Sequence, residues 1–195
     1  MKMTKINFVS ALLLASSLCF ISCSNSKTYE DDSKEVAEDQ NEEKFDDTKL
    51  ENDSEFAVTV ADASMLEVQL GQLAQVNGSA PEVKKFGKEM IAAHTKAGEE
   101  LKALALQKSI SLPDALGEKS QKKYDDLAKK TGKDFDEAYA DAMVSGHKDA
   151  EDAFKKEIDK GKDADLKSWA TSTLPTVENH LAMAKEIETV TDKKK

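Results

Sequence analysis

The chain has 195 residues and a formal net charge of −10, with 34% charged residues, 39% hydrophobic and 6% aromatic. All 28 basic residues are lysines, so the guanidinium fork that commonly clamps phosphate and reads guanine is missing, which argues against nucleic-acid binding. Both cysteines, Cys19 and Cys23, lie near the N-terminus. The rest of the chain therefore has no disulfide, thiolate metal ligand or cysteine nucleophile.

Residues 1–22 read as a lipoprotein signal peptide. Lys2 and Lys5 form a basic start, and the uncharged run from Ile6 to Ser22 is short for a membrane span. Phe20-Ile21-Ser22-Cys23 resembles a lipoprotein signal-peptidase site, with a small residue before the cysteine. Cys19 fits less well, because Leu18 would occupy the small-residue slot. An ordinary secretory peptide is the alternative. In the first reading Cys23 is acylated, becomes the first mature residue and holds the protein to a membrane, since several acyl chains anchor stably where one is marginal. Ser24 stands where an aspartate often signals inner-membrane retention, so an outer-membrane lipoprotein, periplasmic or surface-facing, is expected.

Residues 23–54 read as the acylated cysteine followed by a disordered acidic tether. From Ser24 to Ser54 there are twelve acidic residues against four lysines and almost no aliphatics, too little apolar surface to fold. The remainder, 55–191, is one domain's worth, and 192–195 is a lysine-rich tail.

Apolar residues in that domain recur at helical spacing and no stretch alternates as a strand, so the fold is expected to be all-α. Helix 1 is predicted over 55–76 from Phe56, Val60, Ala63, Glu67, Leu70 and Ala74, and ends at Asn77-Gly78. Helix 2 begins at Ala80-Pro81-Glu82, with its stripe on Val83, Gly87, Met90, His94, Ala97, Leu101 and Leu104. A short extra helix is expected at about 118–130, in the connection between helices 2 and 3. Helix 3, capped by Asp134, carries Phe135, Tyr139, Met143, His147, Ala150, Phe154 and Ile158 inward and ends at Gly161. Helix 4 starts near Asp163 with Leu166, Ala170, Thr173, Val177, His180, Ala184 and Ile187, and Pro175 is expected to kink or split it. Short connections at 77–79 and 160–163 make each pair antiparallel, giving an antiparallel four-helix bundle.

The three histidines of the chain each fall near the middle of a different helix. With a rise of about 1.5 Å per residue, Glu67, His94, His147 and His180 lie within roughly one turn of a common level. Three imidazoles and a carboxylate suit zinc or copper. Met90, Met143 and Met183 each sit one turn from a histidine on the same face, a thioether–imidazole pairing that suits Cu(I). The other reading is a metal-free polar layer, in which Glu67, Tyr139 and Thr173 satisfy the histidines and the methionines fill the core. A ferritin-type di-iron centre lacks its carboxylates, because Ile91, Val144 and Val177 stand three residues before the histidines. No nucleophile–histidine pair or glycine-rich phosphate loop is present, so no enzymatic role is expected. Trp169 is read as a core anchor, or alternatively as a contact for a protein partner of unknown identity.

Several segments also resemble a known family: Glu67-Val68-Gln69-Leu70-Gly71, Phe86 to His94 with Lys96-Ala97, Ala138-Tyr139 through Ala142-Met143-Val144 to His147, and Leu174-Pro175 leading to His180-Leu181. Together they resemble the bacterial domain of unknown function 4142 family, over about residues 55–190. Relatives are often described as outer-membrane proteins and grouped with ferritin-like bundles. The resemblance implies that fold and an envelope location, and brings no activity with it. Ala93 stands where many relatives carry an acid before the first histidine. From these readings the chain is expected to be a lipid-anchored envelope module with a structural or stress-related role, the alternative being periplasmic copper or zinc binding at the histidine layer.

Overall fold

The computed structural model describes residues 32–46 and 50–192. The expected signal peptide, Cys23 and the last three lysines lie outside the described residues. Within them the chain is all-helical, with six helices: α1 (Ser33–Phe45), α2 (Glu51–Asn77), α3 (Pro81–Lys108), α4 (Glu118–Ala128), α5 (Gly132–Lys160) and α6 (Ala164–Asp192). None is long and apolar enough to cross a membrane.

The four long helices form two antiparallel hairpins. Gln75 donates to the Lys84 carbonyl, Gly71 faces Gly87, and Glu67 meets His94, so α2 and α3 run in opposite directions. A Cβ added at Gly71 would lie 2.7 Å from the Gly87 carbonyl oxygen, and one at Gly87 would lie 2.9 Å from that of Gly71. Two glycines therefore let the backbones of α2 and α3 touch one turn from Glu67. In the second hairpin Phe154 packs on Trp169 and His147 on His180.

Buried aspartates close the turns. Asp136 of α5 accepts from the backbone N–H groups of Ser79 and Ala80 and from the Ser79 hydroxyl, supplying the N-terminal capping that Ala80 cannot. Asp53 of α2 does the same for the Lys162 and Asp163 N–H groups ahead of α6. Asp62, also on α2, accepts from the Gly117 N–H and the Ser120 hydroxyl and so starts α4.

Three expectations are corrected. The acidic stretch is not a tether throughout: α1 is folded, and α2 begins at Glu51, four residues before the expected start. Only Ala37 and Asn41 of α1 are buried. Apart from Ala37 and Phe45, which packs on an apolar cluster, its attachment is polar, which is why a count of apolar residues misses it. Asn41 exchanges two hydrogen bonds with the Ser111 backbone (2.7 and 2.8 Å), Ser33 pairs with Asp114, and Lys44 reaches Ser111. Asp134 does not cap α5. Thr131 holds the cap position, and Gly132 opens the helix with φ +61°, a left-handed value suited to glycine. Finally, α6 is not split at Pro175, since it runs unbroken from Ala164 to Asp192 with the ring on its exposed side. One missing N–H donor is outweighed there by packing on either side.

The interior falls into two apolar clusters. One gathers Leu70, Phe86, Met90, Phe135, Tyr139, Met143 and Leu181. The other gathers Phe56, Leu101, Phe154, Leu166, Trp169 and Val177. Along α3, α5 and α6 the change from one to the other falls at His94, His147 and His180.

Candidate metal centre

The histidines converge as their positions in the sequence suggest. Their ring centroids lie 5.4–5.6 Å apart, and one ligand nitrogen from each lies within 4.8 Å of the others. Among the described residues this is the one cluster of three or more such groups close enough to share an ion. His147 and His180 are buried and His94 is nearly so.

Glu67 enters from α2. Its Oε2 is 2.7 Å from His94 Nε2 and its Oε1 is 3.6 Å from His147 Nδ1. Gly146 makes room for it, because a Cβ there would stand 3.1 Å from Glu67 Oε1. Burial alone would raise the Glu67 carboxyl, but the charges of His94 and His147, the His94 hydrogen bond and His180 outweigh it and hold it at about 2. Burial likewise works against a charged His94, yet Glu67 prevails and its ring titrates above the ordinary histidine value. His180 goes the other way, down to about 4, because it is buried and faces the other two histidines, with Glu67 only partly compensating. Burial and the Glu67 charge push the Tyr139 phenol up, so it stays protonated.

Hydrogen bonding separates the possible roles of these groups. The Met143 carbonyl oxygen lies 2.9 Å from His147 Nδ1 and accepts its proton, so that in the neutral ring the lone pair is on Nε2. That Nε2 is buried without a hydrogen-bond partner among the described residues, as are His180 Nδ1 and the Tyr139 hydroxyl. Tyr139 therefore does not satisfy a histidine; its ring stacks on Phe135 at 5.6 Å. Thr173 lines the neighbouring cavity and bonds to no histidine. Each unmade buried hydrogen bond costs about 1–3 kcal/mol, and the two on His147 and His180 lie in the same cluster.

The methionines belong to the core. Met90 and Met143 are fully buried in the first apolar cluster, and Met183 packs against it with its sulfur accepting from Asn179. Trp169 is a core residue, donating through Nε1 to Glu100 at 3.2 Å and packing 5.5 Å from Phe154. Sequence reasoning missed the buried pair Asp53 and Glu157. Burial and the Asp53 carboxylate, through its charge and a hydrogen bond, push Glu157 up to about 7. A glutamate four residues before the helix-ending Gly161 carries no sequence signal of such a pairing.

Fold and site together define a class: an all-helical bundle whose two apolar cores are divided by a buried histidine–carboxylate layer. A family profile described as Domain of unknown function (DUF4142) matches residues 36–187, and the chain belongs to that family. The match begins inside α1, in keeping with that helix being part of the folded unit. No curated protein and no solved structure matches the chain.

Proposed function

We propose that the layer is a divalent transition-metal site in a ferritin-like four-helix bundle. His94, His147 and His180 supply nitrogen and Glu67 an oxygen. The observation that carries this reading is the pair of buried ring nitrogens without partners, His147 Nε2 and His180 Nδ1, set in a cluster whose ligand atoms lie within 4.8 Å. A bound ion would satisfy both. Ligands in a tetrahedral zinc site stand about 3.3 Å apart, given Zn–N bonds of about 2.0–2.1 Å, so modest rotations of the rings would close the cluster. Zinc and copper(II) fit imidazole and carboxylate, and one carboxylate is too few for a di-iron centre. With Met90 and Met143 engaged in the core, the methionine-assisted Cu(I) reading is the weaker one. The His147 bond to a backbone carbonyl is the orienting contact that metal-bound histidines usually have.

The rest of the reading is drawn from the sequence. The protein is taken as a non-enzymatic lipoprotein anchored at Cys23, exported to the envelope and facing the periplasm or the cell surface, with no nucleic-acid partner. A second reading keeps that location but makes the layer purely structural, within a structural or stress-related module. The 2.7 Å Glu67–His94 pair favours it, since two of the four groups already satisfy one another.

Metal analysis of the purified protein, followed by titration with Zn(II), Cu(II), Cu(I) and Fe(II), tests the choice. One tightly bound zinc or copper per chain, lost in His147→Ala, is expected. No binding, with His147→Ala lowering only the melting temperature, would leave the structural layer.

A further inference from the structure

A cavity of about 340 Å³ opens between α2 and α5, and Glu67, His94 and His147 line it. It exists because small residues face each other across that gap, Ala63 on α2 and Gly146, Ala150 and Ala153 on α5. Beyond them Phe154, Trp169 and Val177 make one end apolar, while Asp62, Ser64, Ser120 and Thr173 add polar groups elsewhere, the Asp62 carboxylate being engaged by the Gly117 N–H and the Ser120 hydroxyl. The rim includes Thr59, Lys123, Ser145 and Asp149, which are exposed, so the cavity communicates with solvent. Four protein ligands need not shut such a site, because a four-coordinate ion can expand to five and take water or an outside ligand from an adjoining space.

Resting on the metal reading above, we infer that an ion held by the three histidines and Glu67 takes its fifth ligand from the cavity, and that this ligand is a small carboxylate with an apolar tail. The charge balance selects the anion. A divalent cation with three neutral imidazoles and the Glu67 carboxylate retains one positive charge, and an uncompensated charge in a buried site is costly. A monocarboxylate removes it. The walls select the tail, since apolar surface laid against Phe154, Trp169 and Val177 leaves water at about 25 cal/mol per Å². The volume lies at the lower end of ligand pockets, about 300–1,000 Å³, so a short aliphatic or single-ring acid fits and a long-chain fatty acid does not.

Cobalt(II) replaces zinc in such sites and reports its coordination through visible absorption. The test is the Co(II)-loaded protein titrated with acetate, hexanoate and phenylacetate. Hexanoate and phenylacetate should change the cobalt spectrum saturably, at concentrations at least tenfold below acetate. Ala150→Phe, which fills the cavity one turn beyond His147, should weaken hexanoate at least tenfold while holding Co(II) within threefold of wild type. Ala153→Leu serves the same purpose if Ala150→Phe does not fold by circular dichroism. A cobalt spectrum indifferent to all three acids overturns the fifth ligand and leaves the metal site standing. Equal affinity for acetate and hexanoate overturns the role of the apolar walls. Failure to bind Co(II), with Zn(II) also refused, overturns both readings at once.

Discussion

Asp53 and Asp136 hold reciprocal posts: each leaves its own hairpin, is buried, and accepts the backbone N–H groups at the turn of the other hairpin. The two hairpins are therefore joined at both ends of the bundle by charge-assisted hydrogen bonds, with the histidine layer between. Asp136→Ala strands two N–H groups and the Ser79 hydroxyl, so a loss of about 2–4 kcal/mol is expected. Asp136→Asn keeps an acceptor and should lose about half as much. Urea unfolding at pH 7 compares them.

Glu157 should make stability fall as pH rises. Its folded value, about 7, is above the ordinary 4.5, because it is buried beside Asp53, with Asp163 adding to the effect and Lys167 opposing it. The folded state therefore favours the protonated acid. That contribution is complete below about 4.5 and is lost as pH rises through 7. Glu157→Gln imitates the neutral form, so the stability difference between variant and wild type should grow in the variant's favour across that window. A constant difference from pH 4.5 to 8 would sink the assignment.

Three glycines should respond to alanine with different signs. Gly98 has nothing within 4 Å of an added Cβ, so Gly98→Ala should gain up to about 1 kcal/mol from helix propensity. In Gly71→Ala the new carbon meets backbone, the Gly87 carbonyl oxygen, at 2.7 Å. That substitution should cost about 1–3 kcal/mol and weaken metal binding by separating Glu67 from His94. Gly146→Ala presses only on the Glu67 carboxylate, at 3.1 Å. Near-wild-type stability with reduced metal affinity is the expected result, read by thermal unfolding and zinc titration.

Tyr139→Phe removes a buried hydroxyl that has no partner among the described residues. Stability of the metal-free protein should stay level or rise by up to about 1 kcal/mol. A loss well beyond 1 kcal/mol would mean that the hydroxyl is satisfied in solution.

Asn41→Ala cuts both bonds between α1 and the Ser111 backbone. Amide hydrogen exchange in residues 36–46 should accelerate at least tenfold, about 1.4 kcal/mol of local stability, while the amides of α2 keep their protection. Equal acceleration in both would show α1 to be integral to the global unfolding unit.

The histidine layer was legible because a helix converts spacing into height: one histidine near the centre of each of three helices, each flanked by apolar runs, leaves little freedom in where they meet. Glu67 was legible as an acid on an apolar stripe. The turn caps were not. Asp53 and Asp136 act 109 and 57 residues away in the chain, and nothing local distinguishes them from surface acids. Helix α1 escaped because, beyond Ala37 and Phe45, its attachment is made by Asn41, Ser33 and Lys44, residue types that also fill disordered segments. The cavity follows from the separation of α2 and α5, which alanines and a glycine permit but do not announce.

The docking of α1 also sets how far the protein can stand from a surface. In a chain anchored at Cys23, nine residue steps separate the lipid from Asp32, whose carboxylate binds both Lys34 and Glu118 N–H groups. At about 3.3–3.6 Å per residue, the folded body can rise no more than about 30 Å above the bilayer. If Cys23 is so anchored, a partner or metal donor would have to meet the bundle within that distance of the bilayer.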